Sequence, residues 1–395
     1  MHKLFAVLDV KPENRMLFGT INFAFFAGGV TAIMLGVVLP HIMAENRLSF
    51  TQGGLMLSIH QVGNLSAVLI AGFLPFAIGR KLSTLMLTSF TMIGLAFIIL
   101  ANNPIILLIA FLMTGIGRGT LNNTCNVVIA DVANNKTAAL NILHSMFAVG
   151  AFISPAIVFI SIRTADWKIS VLTAIVLAAT AWMLILRSKM TNLASKEKSP
   201  RDLSFLKKAW FWVPTMLLFF YLAVEVSIIG WFVSYFIEDG LLPESVAGFV
   251  PSMVWFTMII GRVLNAALSK HIRKKNNMLL IFALSATICF IGMILSSSVI
   301  PCIISLFGIG FSMAGIYPTT MATMKGVTSS VAVGFTVAIA SLGGILMPGI
   351  IGAVADIRGL AEAIALLIIA LIGLITLVIL KIAVDKKESA KSPSP

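Results

Sequence analysis

The sequence predicts an all-α membrane protein of twelve transmembrane helices, arranged as two pseudo-symmetric six-helix bundles. Composition is the first observation behind that reading. Of 395 residues, 59% are hydrophobic and 11% charged, and the mean hydropathy is +1.03, outside the range of soluble domains. The second observation is repetition of length. A spanning helix needs about 20 mostly apolar residues, and about twelve such stretches recur along the chain. The third is a weak internal duplication. Strand-like alternation with turns every ten residues is absent, so a barrel is not expected. Helices satisfy their own backbone in lipid.

The first six spans are expected near 17–42, 52–78, 84–101, 104–130, 137–162 and 168–187. The second six are expected near 209–237, 245–269, 277–297, 300–324, 328–355 and 360–384. Between the sets lies the longest polar stretch, Ser188 to Lys208. The expected organisation is therefore an N-terminal bundle over 1–187, a cytoplasmic linker over 188–208, and a C-terminal bundle with a short cytoplasmic tail over 209–395.

The net charge is +13, but its distribution follows topology. Lys3, Lys11, Arg15, Arg80, Lys81, the basic residues from Arg187 to Lys208 and those from Lys270 to Lys275 fall in alternate loops, with more in the tail. The intervening loops hold few, among them Arg47, Arg163, Lys168 and Arg358. This positive-inside bias predicts both termini in the cytoplasm, with the chain in the plasma membrane (a bacterial inner membrane). No nucleic-acid partner is expected from basic patches of this kind. Cys125, Cys289 and Cys302 fall inside spans, with neither metal-ligand spacing nor a disulfide framework. The N-terminal stretch has no separate apolar core and cleavage site, so no removable leader is expected.

Three matches support the duplication. Gly115-Ile116-Gly117 recurs as Gly308-Ile309-Gly310, GAFISP (150–155) recurs as GGILMP (343–348), and Arg80-Lys81 recurs as Arg273-Lys274. All three pairs share one offset of 193. Units with an even number of spans repeat in parallel about an axis along the membrane normal. At that offset Arg118 corresponds to Phe311, so a symmetric scaffold is expected to carry an asymmetric polar interior.

The fourth and fifth spans carry most of that polarity. Arg118 lies about halfway along its span, where a charge costs roughly 2.5–3.5 kcal/mol to insert. It must face protein or a wet cavity, to hold a solute's hydroxyl or carboxylate or to pair with an acid. Asn122 and Asn126 follow at i+4 and i+8, so the three are expected on one helix face. With Asn141 they offer amide donors and acceptors suited to sugar hydroxyls, or else interhelical glue. His144 shares a face with Asn141 and is either a proton relay or a packed ring, and His60 and Gln61 in the second span pose the same choice. Glu225 is the clearest mid-span carboxylate. A carboxyl pulled one way by burial and the other by a cation can load and unload protons. Trp231, Tyr235 and Trp255 could stack on the apolar face of a sugar ring, or form an interfacial belt. Arg262, near the cytoplasmic end of the eighth span, can snorkel to the surface, and a gating or structural role is expected of it, not substrate contact. No phosphate-cradling loop suggests ATP as the drive, no nucleophile–base arrangement suggests an enzyme, and neither a cofactor nor a metal is expected.

Taken with these motifs, the whole chain resembles a twelve-helix transporter of the major facilitator superfamily. Within it, GVVLPHI (36–42), GIGRGTLNNTCN (115–126), ALNILHSMFAVGAFISP (139–155), VEVSIIGWFVSYF (224–236), MIIGRVL (258–264), GIYPTTMA (315–322) and GGILMPGIIGAVAD (343–356) resemble the fucose–proton symporter family of sugar permeases. The resemblance implies secondary active transport of a small solute, often a monosaccharide, coupled to protons or sometimes sodium; the expected cargo is a small polar solute, a sugar above all, moved by alternating access, and a monomer is expected. The resemblance also implies substrate contacts at Asn122, Asn126, Asn141 and Trp231, and a functional acid at Glu225. Those permeases also carry acids in the first and fourth spans, where this chain has Asn22 and Arg118. Glu225 is accordingly the expected coupling acid. The competing expectation is an exporter of amphiphilic or drug-like compounds by proton antiport, suggested by abundant Met and Phe.

Overall fold

The computed structural model describes residues 10–70, 74–190, 204–268, 275–324 and 330–391. Most of the linker, the pair Arg273-Lys274 and the last four residues lie outside them. The described chain is almost wholly helical and divides into two compact units, Met1–Glu197 and Lys198–Pro395.

In the first unit the spans are α1 (Arg15–Asn46), α2 (Phe50–Ile70), α3 (Arg80–Leu100), α4 (Pro104–Val132), α5 (Lys136–Thr164) and α6 (Trp167–Arg187). Their starts follow capping rules. Asn103, Asn135 and Asp166 each accept a hydrogen bond from a first-turn amide of α4, α5 and α6, satisfying donors that a helix leaves orphaned. Pro104 at the first turn of α4 loses nothing by lacking an N–H.

In the second unit the spans begin with α7 (Ala209–Asp239), α8 (Val250–Leu268) and α9 (Lys275–Ile294). The tenth expected span is broken into α10 (Val299–Met313) and α11 (Ile316–Thr323). Pro318 has no N–H for the Ala314 carbonyl, and Gly315 lies so close to the Phe282 ring that a Cβ there would sit 2.2 Å from a ring carbon. Then come α12 (Ser330–Arg358) and a last span divided into α13 (Leu360–Ala365) and α14 (Leu367–Lys391). Gly240 and Gly359 supply the left-handed turns after α7 and before α13, at φ 69° and 87°. With α10–α11 and α13–α14 each taken as one span, eleven helical spans among the described residues are long and apolar enough to cross a membrane, and Val250–Asn265 in α8 is a shorter apolar helix. Large apolar side chains such as Leu100, Ile300 and Ile357 point outward, as lipid-facing surface requires.

The two units use the same five main pairings. In the first, α1 packs on α5 and α6, α4 on α2 and α3, and α3 on α6. In the second, α7 packs on α12 and α14, α10 on α8 and α9, and α9 on α14. Glycines make the closest contacts. A Cβ on Gly150 would lie 2.1 Å from Phe26 O of α1, and one on Gly343 would lie 2.0 Å from Phe219 O of α7. Both members of this contact keep the offset of 193 read from sequence.

The Gly-Ile-Gly motif does not keep it. Gly115 and Gly119 meet α2 at His60 O and Asn64 O, whereas Gly117 meets α3 at Thr91. In the second unit Gly308 meets α9 at Cys289 and Gly310 meets α8 at Val254 O. Gly310 and Ala314, the latter against Gly261 of α8, face α8 as Gly115 and Gly119 face α2, and the offset in this span is 195. By facing, Arg118 corresponds to the buried Met313 and not to Phe311, which is 39% exposed.

Candidate functional site

Each unit holds a polar cluster in its interior. In the first unit it lies between α2 and α4. Gly115 brings α4 so near α2 that a Cβ would sit 2.0 Å from His60 O. His60 is buried, with Nδ1 3.0 Å from Thr114 Oγ1. Arg118, half-buried, brings Nη1 to 3.5 Å from His60 Nε2. Beside this pair is a cavity of about 30 Å³ whose walls include Thr31 of α1, Thr88 and Thr91 of α3, and Trp182 of α6. Thr88 and Thr91 of this wall continue a stripe that begins at Thr84, at i, i+4, i+7, a sequence signal that hydropathy alone conceals.

The asparagines are set apart from Arg118. A helix advances about 100° per residue, so Asn126 lies roughly 80° around α4 from Arg118. Asn126 Nδ2 donates to Asn122 O at 2.7 Å and to Asn122 Oδ1 at 3.1 Å. His144 Nε2 lies 3.1 Å from Asn126 Oδ1, which accepts, so the ring nitrogen donates. The Phe25 ring meets His144 edge-on at 5.4 Å. Asn141 is exposed one turn before Ser145, whose hydroxyl donates to its carbonyl. The single polar face expected of α4 is thus two groups, Arg118 with His60 and Asn122–Asn126 with His144.

In the second unit Glu225 accepts a 2.8 Å hydrogen bond from Tyr221 Oη, one turn earlier on α7. Tyr221 is buried, and the Tyr317 ring of α11 lies 5.8 Å from it. Arg262 acts on Tyr221 electrostatically, as Glu225 does. Its guanidinium lies 5.7 Å from the Trp255 ring centroid, and Nη2 lies 3.5 Å from Met258 Sδ. Arg262 therefore runs back along α8 toward Trp255, away from the helix end to which snorkelling would take it. Side chains on a helix tilt toward its N-terminus, which is the direction taken here.

The three expected aromatic platforms are packed. Trp231 is 0% exposed and donates Nε1–H to Pro348 O at 3.1 Å. Tyr235 is buried against Phe236, with ring centroids 4.8 Å apart. Trp255 is buried beneath Arg262. None presents an open ring face for stacking. Asn22, in the place of the first-span acid, is buried and donates to Phe18 O on its own helix.

The family model for the major facilitator superfamily matches residues 21–330. The chain belongs to the major facilitator superfamily. This facilitator is 24% identical to an uncharacterised MFS-type transporter of Yersinia pestis over 348 residues, 86% of this chain and 89% of that one. It is also 24% identical to a hexuronate transporter of Bacillus subtilis over 274 residues, 65% of each chain. Among solved structures, a bacterial homologue of the human lysosomal transporter Spinster, inward-facing and occupied, aligns with a TM-score of 0.77 at 13% identity, over 95% of this chain and 98% of that one. A D-xylose–proton symporter aligns with a TM-score of 0.73 at 14% identity, over 93% and 96%. At these identities the structural likeness bears on the fold, which is that of a multi-pass membrane transporter.

Proposed function

We propose that this facilitator is a secondary active transporter of a small polar solute of the sugar class, coupled to a proton, in the manner of the fucose–proton symporters it resembles. Glu225 carries the reading. It is a mid-span carboxylate held by a buried tyrosine in reach of Arg262, and such a group can hold a proton in one conformation and release it in another. A ligand or proton shifts that equilibrium only by its differential affinity for the two states. Arg118 and the Asn122–Asn126–His144 group supply the hydrogen bonds for the solute, with Asn141 nearby on α5. The hexuronate carrier among the relatives and the xylose symporter among the structural neighbours support a sugar-like cargo. The transporter works as a monomer in the plasma membrane with both termini cytoplasmic, as the loop charges suggest.

Paired assays in the same proteoliposomes test this. Wild type should accumulate sugar-class solutes under an imposed proton gradient. Glu225→Gln should lose uphill accumulation and keep equilibrium counterflow. Uphill accumulation by the Gln variant would remove Glu225 as the proton site. Counterflow of a cationic dye without sugar uptake would favour a drug exporter, and uptake that follows sodium and ignores pH would replace the proton.

A further inference from the structure

Thr114 fixes which nitrogen of His60 carries the proton. Its hydroxyl donates its one hydrogen to Phe111 O at 2.8 Å. Toward His60 Nδ1, at 3.0 Å, it can only accept. The His60 proton therefore sits on Nδ1, and Nε2 turns a lone pair to the Arg118 guanidinium at 3.5 Å. An arginine does not give up its proton in a protein. A second proton on His60 would enter at Nε2 and set donor against donor and charge against charge, so this contact holds only while His60 is neutral.

The cavity beside the pair has room for two or three water-sized groups on the scale of about 10–15 Å³ each, the size of a carboxylate. Among the described residues that line it, His60 and Arg118 are the only ionisable groups. On the other walls α1 presents small side chains and Thr31, α3 presents Thr88 and Thr91, and α6 presents Trp182 among apolar residues. Thr91 is 5% exposed, and its hydroxyl oxygen turns to α4, where a Cβ on Gly117 would lie 1.8 Å from it.

We propose that His60 is a proton site linked to Arg118, and that its protonation readies the cavity for the carboxylate of an acidic solute. The proton enters at Nε2 and the Arg118 contact breaks. The guanidinium fork and Nε2–H are then the donors that the cavity offers to one carboxylate. Proton and anion bind together, and by linkage each tightens the other by the same factor. The proposal rests on the reading of this chain as a proton-coupled carrier and narrows its cargo to a solute bearing a carboxylate.

Acetate, the simplest carboxylate, and its neutral analogue acetamide are sufficient probes. The wild-type chain is ¹⁵N-labelled at its five histidines and reconstituted in liposomes, with the His60 resonances assigned from His60→Gln. Without added anion, His60 should show the neutral Nδ1–H tautomer. At fixed pH, acetate should raise the ratio of protonated to neutral His60 about tenfold, within the range typical of coupled sites, and acetamide should leave it unchanged. Arg118→Gln should abolish the acetate response. A neutral Nε2–H tautomer, or no response of wild type to acetate, overturns the proposal. An equal response to chloride means a free-anion site and overturns the solute assignment. If acetate acts as expected while no solute follows a proton gradient, the site stands and the transport reading fails.

Discussion

Replacing Gly150 with Ala should loosen the first unit by a predictable amount. The added Cβ would lie 2.1 Å from Phe26 O and 2.9 Å from Val30 N, both backbone atoms of α1. A carbon–oxygen contact settles near 3.3 Å, so one methyl requires about 1 Å of separation between two helices. No side-chain rotation relieves it. Gly29 makes the reciprocal contact, close enough that a Cβ there would lie 2.1 Å from Phe147 O of α5, and it would be pulled away as well. Overpacking of this kind costs about 1–3 kcal/mol. At roughly 2–4 °C per kcal/mol for a unit of this size, a fall of about 5 °C is expected. Heating in detergent followed by fluorescence-detected size exclusion reads it, at one heating rate because such unfolding is irreversible. Gly28→Ala is the control, since its Cβ would rest 3.9 Å from a Leu121 methyl, and its midpoint should rise by about 1–4 °C, because alanine favours a helix interior by about 0.5–1 kcal/mol over glycine. Gly343→Ala should match Gly150→Ala, because its contact with α7 has the same geometry. Equal midpoints for Gly150→Ala and Gly28→Ala would refute the reasoning.

Other consequences concern single side chains. Trp231→Phe loses the bond to Pro348 O and should cost about 1 kcal/mol of stability. Transport should remain within about twofold of wild type (as for a packing residue), and loss of transport in folded protein would restore a substrate role. Arg80, with its side chain 7% exposed, pairs with Asp131 at 2.6 Å. Asp131→Asn leaves a buried guanidinium without its counter-charge and should lower stability by about 1–2 kcal/mol, the half-exposed carboxylate keeping the loss below the buried-pair range. Arg80→Met should be milder in the same thermal assay, and a harsher effect would show that the arginine does more than balance the aspartate.

Hydropathy made the spans legible because lipid imposes one requirement on every span alike. It could not reveal the break at Ala314–Gly315, which depends on Pro318 and on the Phe282 ring of a neighbouring helix. Periodicity put Arg118, Asn122 and Asn126 on one side of α4 but could not say which neighbours they meet. A drift of about 40° every four residues was enough to give Arg118 a cavity shared with α3 and α6 while Asn126 met His144 of α5. Trp231 shows the same limit. A tryptophan in a span reads identically as belt, platform or packing until the acceptor of its N–H is known. Tyr221 was visible as a residue one turn from Glu225, yet only its burial and its 2.8 Å bond give it a role.

The shifted register in the fourth span of each unit bears on how the two halves diverged. A displacement of two residues turns a helix by about 200°, so Gly115-Ile116-Gly117 and Gly308-Ile309-Gly310 are alike in letters and opposed in the neighbours they touch. The motif is small in both units, while the helices that its glycines meet differ. By facing, the place of Arg118 is taken in the second unit by the apolar Met313. Ancestral reconstruction that pairs the halves by letter alone would trace the origin of this charge to Phe311, when the residue occupying its place is Met313.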